Sequence, residues 1–311
     1  MTTPIDPRPL GATGIEVSPL TLGTSGLGQG TEPGSAEEAA AVELATAMLS
    51  GPYAVVDTSN MYSEGRSEAV LGLARRTVAD PRPIVTKTDR DPESGVFDRD
   101  RVWRSFEEST SRLGVDRVGL LHLHDPYTIT FEEAMAPGGA VAGMLELKEQ
   151  GLVDAIGIAA GRVSVVSRYV ASGLFDAVLT HNRFTLVDQS ARALLEDARE
   201  RGMGTFNAAP FGGSLLARGS ASGGTYAYTP STPELIAWVE RVEALCASHG
   251  IDLPTAALHY SLRSPLIDST VVGISSTARI AQLEERRVAV VPEAFWSDLE
   301  NLGPAPSTVV D

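Results

Sequence analysis

Eight short apolar runs alternate with amphipathic segments between residues 18 and 287, and this rhythm limits the folds open to the chain. The runs span residues 20–22, 53–56, 84–87, 118–123, 155–158, 175–180, 204–207 and 269–272. Strands that alternate with helices pair in parallel and are covered on both faces, so they read as continuous apolar runs. Eight such units predict an α/β protein of the (β/α)8 TIM-barrel type, and a doubly wound sheet is the alternative.

Capping residues and glycines mark the ends of several predicted helices. A serine or aspartate side chain accepts the free backbone N–H groups of a first turn, and glycine adopts the left-handed conformation that often ends a helix. We therefore predict helices that begin after Ser35, after Asp98 or Asp100 and after Asp188, and that end near Gly51, Gly114 and Gly202.

Two segments lie outside the strand–helix repeat. Residues 8–17 contain two short strand-like pieces about a glycine turn, which predicts a β-hairpin that closes the bottom of the barrel. Residues 208–232 form a long connection rich in glycine, serine and threonine, and loops of this length are uncommon unless they are functional or mobile. Because no linker divides the chain, we expect one domain over residues 1–311 with long loops at the carboxyl-terminal face.

Composition argues against several classes of function. Hydrophobic residues make up 43% of the chain and charged residues 21%, which is typical of a soluble globular protein, and no apolar run is long enough to span a membrane. Residues 1–8 lack the apolar core of a signal peptide, which favours the cytoplasm. The net charge of −15 argues against nucleic acid as a partner, because phosphate binding needs a basic face. The single cysteine, Cys246, is expected to be a buried, inert thiol.

Four residues that can exchange protons follow predicted strands: Asp57, Tyr62, Lys87 and His124. The carboxyl ends of barrel strands meet over one mouth, where catalytic groups lie, so these side chains are expected to converge. The lysine is distinctive because only Lys87 and Lys148 are lysines among 25 basic residues. A buried lysine acts as a compact charge that tunes the pKa of a neighbour, which arginine does poorly.

Together the four residues suit the interconversion of a carbonyl and an alcohol by hydride transfer. A phenol with a pKa of about 10 exchanges protons poorly at neutral pH, so we expect Lys87 to lower the pKa of Tyr62 while Asp57 keeps the lysine charged. Tyr62 would then exchange a proton with the substrate oxygen, and His124 would orient that oxygen. Taken singly, such an aspartate is often a cap and such a tyrosine often only packs, so the prediction rests on the four together.

A metal-dependent hydrolase is the rival interpretation of the histidines. His122 and His124 are two residues apart on a strand and share a face, with Asp125 adjacent and His181 at a later strand end. The two remaining histidines fall in predicted helices and supply no further ligand. We therefore expect no metal, with His122 in a lower layer of the barrel and His124 at the mouth.

The glycine-rich segment 23–30 invites a dinucleotide-binding interpretation. It does not match Gly-x-Gly-x-x-Gly, and no helix begins directly at its end, so the Rossmann fingerprint is absent. The segment is predicted to be a loop after the first strand that lines the mouth.

The residues around the four candidates resemble the aldo-keto reductase family. Residues 57–63, with Glu68 and residues 71–72 after them, are similar to its first signature, and residues 86–87 and 120–126 are similar to its lysine and histidine segments. The resemblance runs from Leu10 to about Glu285.

This resemblance implies a (β/α)8 barrel that binds NAD or NADP in extended form without a Rossmann domain. It also implies that Tyr62 is the general acid/base, that Lys87 and Asp57 are its partners, and that His124 orients the substrate.

Segments 181–188 and 207–216 are similar to the branch of the family that oxidises L-fucose, D-threo-aldoses or D-galactose. The resemblance implies that Phe184 stacks on the nicotinamide and that residues 210–215 cover the pyrophosphate. The implied cofactor-binding residues are Gly23, Thr24, Asp57, His181, Asn182, Phe184, Pro210, Phe211, Gly212, Gly213, Leu215, Gly273, Ser275, Arg279 and Gln282.

The chain departs from the family at positions that bear on the cofactor. Residues 159–160 are two alanines where many members carry Ser-Asn, and His181 replaces a usual glutamine. The last loop lacks the lysine that many members use for the 2′-phosphate, and it retains Arg279, which would bind that phosphate or stack on adenine. NAD is slightly favoured and NADP remains open.

The predicted function is NAD(P)-dependent oxidation of an aldose at C1, or reduction of a small aldehyde. The substrate, a small carbonyl compound or sugar, is expected to contact Asn60, Met61, Asp125 and Tyr127. The alternatives are a cofactor-binding regulatory subunit with slow turnover, as some members of the family are, and the metal-dependent hydrolase. The oligomeric state is left open.

Overall fold

Each strand-like run of the sequence contributes to one closed barrel of eight parallel strands. The computed structural model describes residues 4–306, so residues 1–3 and 307–311 of the expected single domain lie outside the described residues. The strands are β1 (Arg8–Pro9), β2 (Glu16–Val17), β3 (Leu20–Gly23), β4 (Val56–Asp57), β5 (Ile84–Thr88), β6 (Val118–His124), β7 (Val153–Ala160), β8 (Ala177–His181), β9 (Gly204–Ala208), β10 (Thr225–Tyr226), β11 (Thr229–Pro230) and β12 (Ser269–Gly273). The barrel runs in the order β12, β3, β4, β5, β6, β7, β8, β9 and closes from β9 to β12, which confirms the predicted fold.

Helices surround the barrel and cover the outward faces of the strands. They are α1 (Ala36–Leu49), α2 (Arg66–Arg75), α3 (Arg99–Leu113), α4 (Phe131–Met135), α5 (Ala140–Glu149), α6 (Val163–Ala171), α7 (Arg192–Glu200), α8 (Leu215–Arg218), α9 (Pro233–Ser248), α10 (Leu253–Leu262), α11 (Thr277–Val288) and α12 (Glu293–Asn301), with 3-10 turns at Tyr62–Gly65 and Ser220–Ser222. The predicted caps Ser35 and Asp98 accept the N–H groups of Glu38 and Arg101.

The prediction that Asp188 opens a helix is wrong. Helix α7 begins at Arg192, and Asp188 lies in the preceding turn, where its carboxylate accepts from Ser190 N–H and faces Arg183 at 3.4 Å. Asp188 is buried, so its charge is neutralised within the turn rather than used at a helix end.

The amino-terminal hairpin β1–β2 closes the bottom of the barrel as predicted. Leu10, between its strands, is fully buried and packs with inward-facing residues of several barrel strands. A Cβ at Gly204, the first residue of β9, would lie 2.4 Å from Leu10 Cγ, so only glycine leaves room for this plug. The barrel is therefore solid at its amino-terminal end, and its opening lies at the carboxyl ends of the strands.

Loop 208–232 is folded rather than structureless. It contains α8, one 3-10 turn and the small hairpin β10–β11. Tyr226 anchors the hairpin, because it is fully buried and its hydroxyl bonds to Thr185 Oγ1 and to Asn182 O. The loop is thus fixed to the turn after β8 and stands over the carboxyl ends of the strands.

Two further expectations concern the rest of the chain. Cys246 is buried among the apolar residues that α9 packs into the core, as expected. Within residues 4–306, no helix is both long and apolar enough to cross a membrane.

Candidate active site

The barrel brings the four predicted proton-exchanging residues together at one mouth. Asp57 ends β4, Lys87 is the next to last residue of β5, and His124 ends β6. Side chains alternate along a strand, so Val85 and Lys87 of β5 both face the barrel interior, with Val85 in the inner apolar cluster. Tyr62 begins the 3-10 turn that follows β4 and points back to the same place, with its ring 4.6 Å from Lys87 Nζ.

Lys87 and Asp57 form a buried ion pair at the centre of this cluster. Lys87 Nζ lies 2.7 and 2.8 Å from the two carboxylate oxygens of Asp57, and it also donates to Thr58 O at 2.5 Å. Burial alone would lower the pKa of Lys87, but the carboxylate of Asp57 and the oxygen of Tyr62 raise it overall. The lysine is therefore a fixed positive charge beneath the Tyr62 ring.

Lys87 lowers the pKa of Tyr62 as predicted, but the net pKa of Tyr62 is raised, which the sequence did not predict. Loss of water around the hydroxyl raises this pKa to about 12, and the opposing effect of the Lys87 charge is smaller. The sequence identifies the neighbouring lysine but not the depth of the hydroxyl. At neutral pH Tyr62 is thus a protonated phenol, whose pKa would be higher still without Lys87.

His124 is held by two residues that sequence reasoning missed, Asp89 and Ser59. Nδ1 of His124 lies 2.7 Å from Asp89 Oδ1 and 3.1 Å from Ser59 Oγ. Burial would lower the pKa of His124, but the Asp89 carboxylate raises it overall. Asp89 follows Lys87 by two residues, and this same-face spacing was the available signal.

His122 lies one layer below the mouth, as predicted. It is fully buried, neither ring nitrogen has a hydrogen-bond partner, and burial keeps its pKa well below the usual value. A Cβ at Gly157 of β7 would lie 2.2 Å from its Nδ1, so the ring fills space that a neighbouring side chain would take. Across residues 4–306, no group of three or more histidine, cysteine, aspartate or glutamate side chains is arranged to hold a metal.

A cavity of about 360 Å³ opens beside Tyr62 and Asp57. Its other lining residues come from β3, β8, β9 and β12, from the loops after β3 and β9, and from the turn of the β10–β11 hairpin. They include Gly23, Thr24, Phe211, Gly213, Tyr228 and Gly273. A second cavity of about 500 Å³ is lined by the loops that continue from two of these strands, residues 26–31 and 274–277, and by one face of α1. Consecutive residues border the two cavities, so they adjoin and form one elongated groove.

The lining of the groove suits a nucleotide chemically, because it combines glycines, hydroxyl side chains and the amino terminus of a helix. One end lies next to Tyr62, and the far end reaches Ser275 and the amino terminus of α11, where backbone N–H groups favour phosphate. Of the predicted cofactor residues, Gly23, Thr24, Asp57, Phe211, Gly213, Gly273 and Ser275 line the groove.

The other predicted cofactor residues lie around the groove. Pro210, Gly212 and Leu215 are buried in the loop behind it, Asn182 is buried beneath the hairpin, and His181 is half-buried at the end of β8. Arg279 donates to Gln282 along exposed α11.

The structure places Phe184 away from the groove, which disagrees with the predicted contact with the nicotinamide. Phe184 is 1% exposed and packs in the core between the barrel and its helices, with its ring 5.4 Å from that of Tyr260. Asn182, two residues earlier, has a φ of +61°, and the chain turns there so that Phe184 points away from the groove. Phe211 is the phenylalanine that borders the cavity next to Tyr62.

Among the predicted substrate residues, Asn60 faces away from the mouth, and that prediction is also wrong. Its amide nitrogen lies within 3.3 Å of three acceptors on α3, and its oxygen accepts from Arg101, so the side chain ties the β4 loop to this helix. Met61 is half-buried beside Tyr62. Tyr127 is exposed at the rim, where its hydroxyl accepts from the N–H groups of Gly161 and Arg162.

Asp125 has a left-handed backbone conformation at the mouth. Its φ is +41°, and its carboxylate lies between two imidazoles, 3.9 Å from Nε2 of both His124 and His181. These distances are too long for hydrogen bonds, and Oδ1 has no hydrogen-bond partner among the described residues. Oδ1, on the His181 side, is thus a buried acceptor without a partner in the described part of the chain, and Oδ2 is the oxygen on the His124 side.

The comparisons agree with this geometry. The sequence model of the Aldo/keto reductase family matches residues 19–303. The chain is 31% identical to D-threo-aldose 1-dehydrogenase of a Pseudomonas species, with 93% of this chain and 94% of the relative covered. It is 28% identical to pyridoxal 4-dehydrogenase of Microbacterium luteolum, with 95% and 97% covered.

A solved structure has the same fold. It is the holo form of aldo-keto reductase AKR11C1 from Bacillus halodurans, with a TM-score of 0.77, 20% identity, and 99% of this chain and 98% of that chain covered. The chain belongs to the aldo/keto reductase family and is an NAD(P)-dependent oxidoreductase that interconverts carbonyl and alcohol groups.

Proposed function

We propose that this protein oxidises the cyclic hemiacetal form of an aldose at C1 to the lactone, with Tyr62 as the proton-exchanging residue. The observation that carries the proposal is the position of Tyr62, above the Lys87–Asp57 ion pair, beside His124 and at the end of the groove. The C1 hydroxyl gives its proton to the phenolate form of Tyr62, the C1–H bond breaks, and the C1–O bond becomes the lactone carbonyl. The nicotinamide supplies the acceptor for the hydride, so one NAD(P)+ is reduced per lactone formed.

Residues at the mouth favour a hydroxylated substrate. Asp125 Oδ2, the oxygen on the His124 side, would accept a hydrogen bond from a sugar hydroxyl, while His124 would direct Nε2 to the reacting oxygen. Strain at Asp125, with φ at +41°, is typical of a residue held in place for a ligand. Met61 and the rim residue Tyr127 would provide apolar contacts to the faces of the sugar ring.

The names of two relatives point to the same chemical class. One is a D-threo-aldose 1-dehydrogenase and the other a pyridoxal 4-dehydrogenase. An aldose and pyridoxal share an aldehyde that an internal hydroxyl closes into a cyclic hemiacetal. A hemiacetal carbon already carries the C–H and O–H groups that the oxidation removes, so a site built for this carbon would accept both.

The second cavity supports NAD over NADP. Glu37 and Glu43 line it together with Ser276 and Thr277. If the adenosine ribose lies there, the two carboxylates would accept hydrogen bonds from its hydroxyls and would repel a 2′-phosphate. NAD is therefore expected to bind more tightly than NADP in a direct titration of nucleotide fluorescence.

A substrate panel tests the function. Purified protein is mixed with NAD or NADP and with aldoses, pyridoxal or acyclic aldehydes that cannot cyclise, and reduced cofactor is followed by absorbance while the product is identified by NMR. Aldoses, or pyridoxal, should give lactone with stoichiometric reduced cofactor. Oxidation of the acyclic aldehydes alone would contradict the hemiacetal proposal.

The role of Tyr62 has its own test. Tyr62→Phe should lower kcat by about 10²- to 10⁴-fold, the usual contribution of a general acid/base, and should leave dinucleotide affinity unchanged. The matched control is Tyr169→Phe, because the Tyr169 hydroxyl is buried without a hydrogen-bond partner and lies outside the site. Full activity of Tyr62→Phe would show that another group moves the proton.

The raised pKa of Tyr62 gives a pH prediction. Below a pKa of about 12 the phenolate fraction rises with pH, so oxidation should accelerate from neutral to alkaline pH. Reduction uses the protonated phenol, which is abundant throughout this range, and should not gain from alkali. A rate of oxidation that falls from pH 7 to pH 9 would contradict the assignment of Tyr62 as base.

The remaining expectations follow the proposed enzyme. We expect one barrel domain to carry the whole activity in the cytoplasm on a small-molecule substrate, without a nucleic-acid partner. The charge of −15 supports the last point.

A further inference from the structure

Asp89 is a buried charge at the mouth that the proposed proton transfer does not use. It follows β5 directly and is 2% exposed, and both of its carboxylate oxygens are bonded. Oδ1 lies 2.7 Å from His124 Nδ1, and Oδ2 accepts from the Ser59 hydroxyl at 2.5 Å and from Met61 N–H at 3.0 Å. A carboxylate this well satisfied has a fixed position.

The backbone of Asp89 is fixed as firmly as its side chain. Its N–H donates to Ser105 Oγ, and its carbonyl accepts from Arg101 Nε, both on α3. Asp89 therefore connects three parts of the fold: the end of β5, the outer helix α3, and the loop after β4 that carries Tyr62. The His124 ring is thus held in place by the same elements that hold Tyr62.

The hydrogen bond to Asp89 decides which nitrogen of His124 carries a proton. An ionised carboxylate only accepts hydrogen bonds, so Nδ1 must donate to it. Nδ1 is thereby occupied, and Nε2 is the nitrogen left for a ligand. With Asp89 charged, a second proton on the ring is stabilised and Nε2 is then also a donor.

We propose that Asp89 is a positioning residue that holds His124 through Nδ1 and presents Nε2–H to the substrate oxygen. This proposal deepens the proposed function and rests on it for the identity of that oxygen. Without Asp89, the second proton on the imidazole loses its stabilising charge, and a neutral ring can turn a lone pair at Nε2 toward the substrate. A lone pair repels an oxygen that carries negative charge in the transition state, whereas N–H stabilises it.

The charges around His124 support this role for Asp89. Lys87 on β5 opposes a positive imidazole, Asp125 on the following residue favours it from 3.9 Å, and the Tyr62 ring contacts it edge-on. His122, on the same strand, is neutral because burial lowers its pKa. Burial also lowers the pKa of His124, and Asp89 is the largest of the effects that raise it overall. Asp89 itself gains from the contact, because burial would raise its pKa and His124 lowers it overall.

Asp89→Asn removes the charge and keeps the shape. The pKa of His124, measured by NMR titration of the 15N-labelled imidazole and assigned with His124→Asn, should fall by about 1–3 units. In turnover, kcat should fall by about 10²-fold, the effect of losing one stabilising donor, with little change in the KM for the dinucleotide. Because the protonated imidazole is the active form in this proposal, the rise of the oxidation rate with pH should level off above the His124 pKa. This break should move to lower pH in the variant.

Ser59→Ala is the matched control, because Ser59 also contacts His124 Nδ1 but carries no charge. It should shift the pKa of His124 much less than Asp89→Asn does. An equal shift in the two variants, or an unchanged His124 titration in Asp89→Asn, overturns the proposal.

The histidine titration needs no turnover, which separates this proposal from the proposed function. A large pKa shift together with inactivity on every hemiacetal would overturn the function and leave the positioning role supported. Should Asp89→Asn fail to fold, the wild-type tautomer decides: Nδ1–H above the His124 pKa supports the proposal, and Nε2–H with bare Nδ1 overturns it.

Discussion

The two sides of the barrel mouth are built on different principles. On the side of β4, β5 and β6, charged groups are buried and paired: Lys87 with Asp57, and Asp89 with His124. On the side of β9 and β12, the described residues of the wall form no buried ion pair. The wall combines small residues with Phe211 and Tyr228, and its shape depends on left-handed glycines such as Gly212 and Gly213. The first side is held by electrostatics inside the barrel, and the second is held by loop conformation.

The difference follows from what each side handles. Proton exchange needs groups whose pKa values are set by neighbours, and such control requires fixed, dry partners. An extended dinucleotide needs surface and backbone N–H groups along its length, which loops supply. We therefore expect substitutions on the β4–β6 side to act through charge and to affect stability and turnover together. Substitutions on the β9–β12 side should act through shape and affect cofactor binding.

Removal of Lys87 should have the largest effect. Lys87→Met leaves Asp57 as an uncompensated buried charge, so the free energy of unfolding should fall by about 3–5 kcal/mol, as for other broken buried pairs. Lys148→Met is the control, because the other lysine pairs with Asp176 at a partly exposed site and should cost at most about 1 kcal/mol. Urea denaturation measures both.

A second variant separates charge from packing at Lys87. Lys87→Met combined with Asp57→Asn should recover most of the lost stability, because no charge remains unpaired, and should stay inactive. If the single variant is as stable as wild type, the pair does not hold this side of the mouth and the comparison between the two sides fails.

A methyl group at Gly212 should have an intermediate effect, confined to the other side. A Cβ there would lie 2.0 Å from the ring of Tyr226, which anchors the β10–β11 hairpin. Gly212→Ala should lower the free energy of unfolding by about 1–3 kcal/mol and weaken dinucleotide binding by about tenfold. The change in kcat at saturating cofactor should be small.

Gly223→Ala is a matched control for this clash. Gly223 lies in the same loop with φ at +57°, close to the +59° of Gly212, but its Cβ would meet nothing within 4 Å. It should cost about 1 kcal/mol for the left-handed backbone alone, with unchanged dinucleotide affinity. Equal effects of the two variants would mean that backbone strain, rather than the contact with Tyr226, governs the loop.

The sequence predicted the β4–β6 side better than the other. Strand ends and period-two alternation place Asp57, Lys87 and His124 at one mouth without any knowledge of loops. The sequence did not identify Ser59 and Asp89, and it assigned Asn60 to the substrate. The roles of these residues depend on how the loop after β4 folds against α3. The raised pKa of Tyr62 was missed because depth below the surface is a property of the whole fold.

The β9–β12 side shows where sequence-based inference ends. Glycine-rich loops were correctly expected there, but a loop residue two positions from a predicted contact points in any direction until its backbone angles are known. Phe184 is the example, since the left-handed turn at Asn182 sends its ring into the core. Resemblance suggests which segment binds a ligand, and only backbone geometry says which side chain of that segment reaches it.

The smallest expected effect distinguishes the two phenylalanines. Phe184→Leu should lower the free energy of unfolding by about 1 kcal/mol, as a near volume-conserving core change, and leave the dissociation constant of NAD or NADP unchanged. Phe211→Leu should weaken dinucleotide binding by about 0.5–1.5 kcal/mol and should leave the free energy of unfolding nearly unchanged. The reason is that Phe211 is half-buried at the cavity next to Tyr62. Urea denaturation and a fluorescence titration on the same two proteins measure both quantities. If Phe184→Leu weakens nucleotide binding more than Phe211→Leu does, the stacking role that the resemblance implies for Phe184 is right. The aromatic contact with the nicotinamide would then belong to Phe184 and not to Phe211.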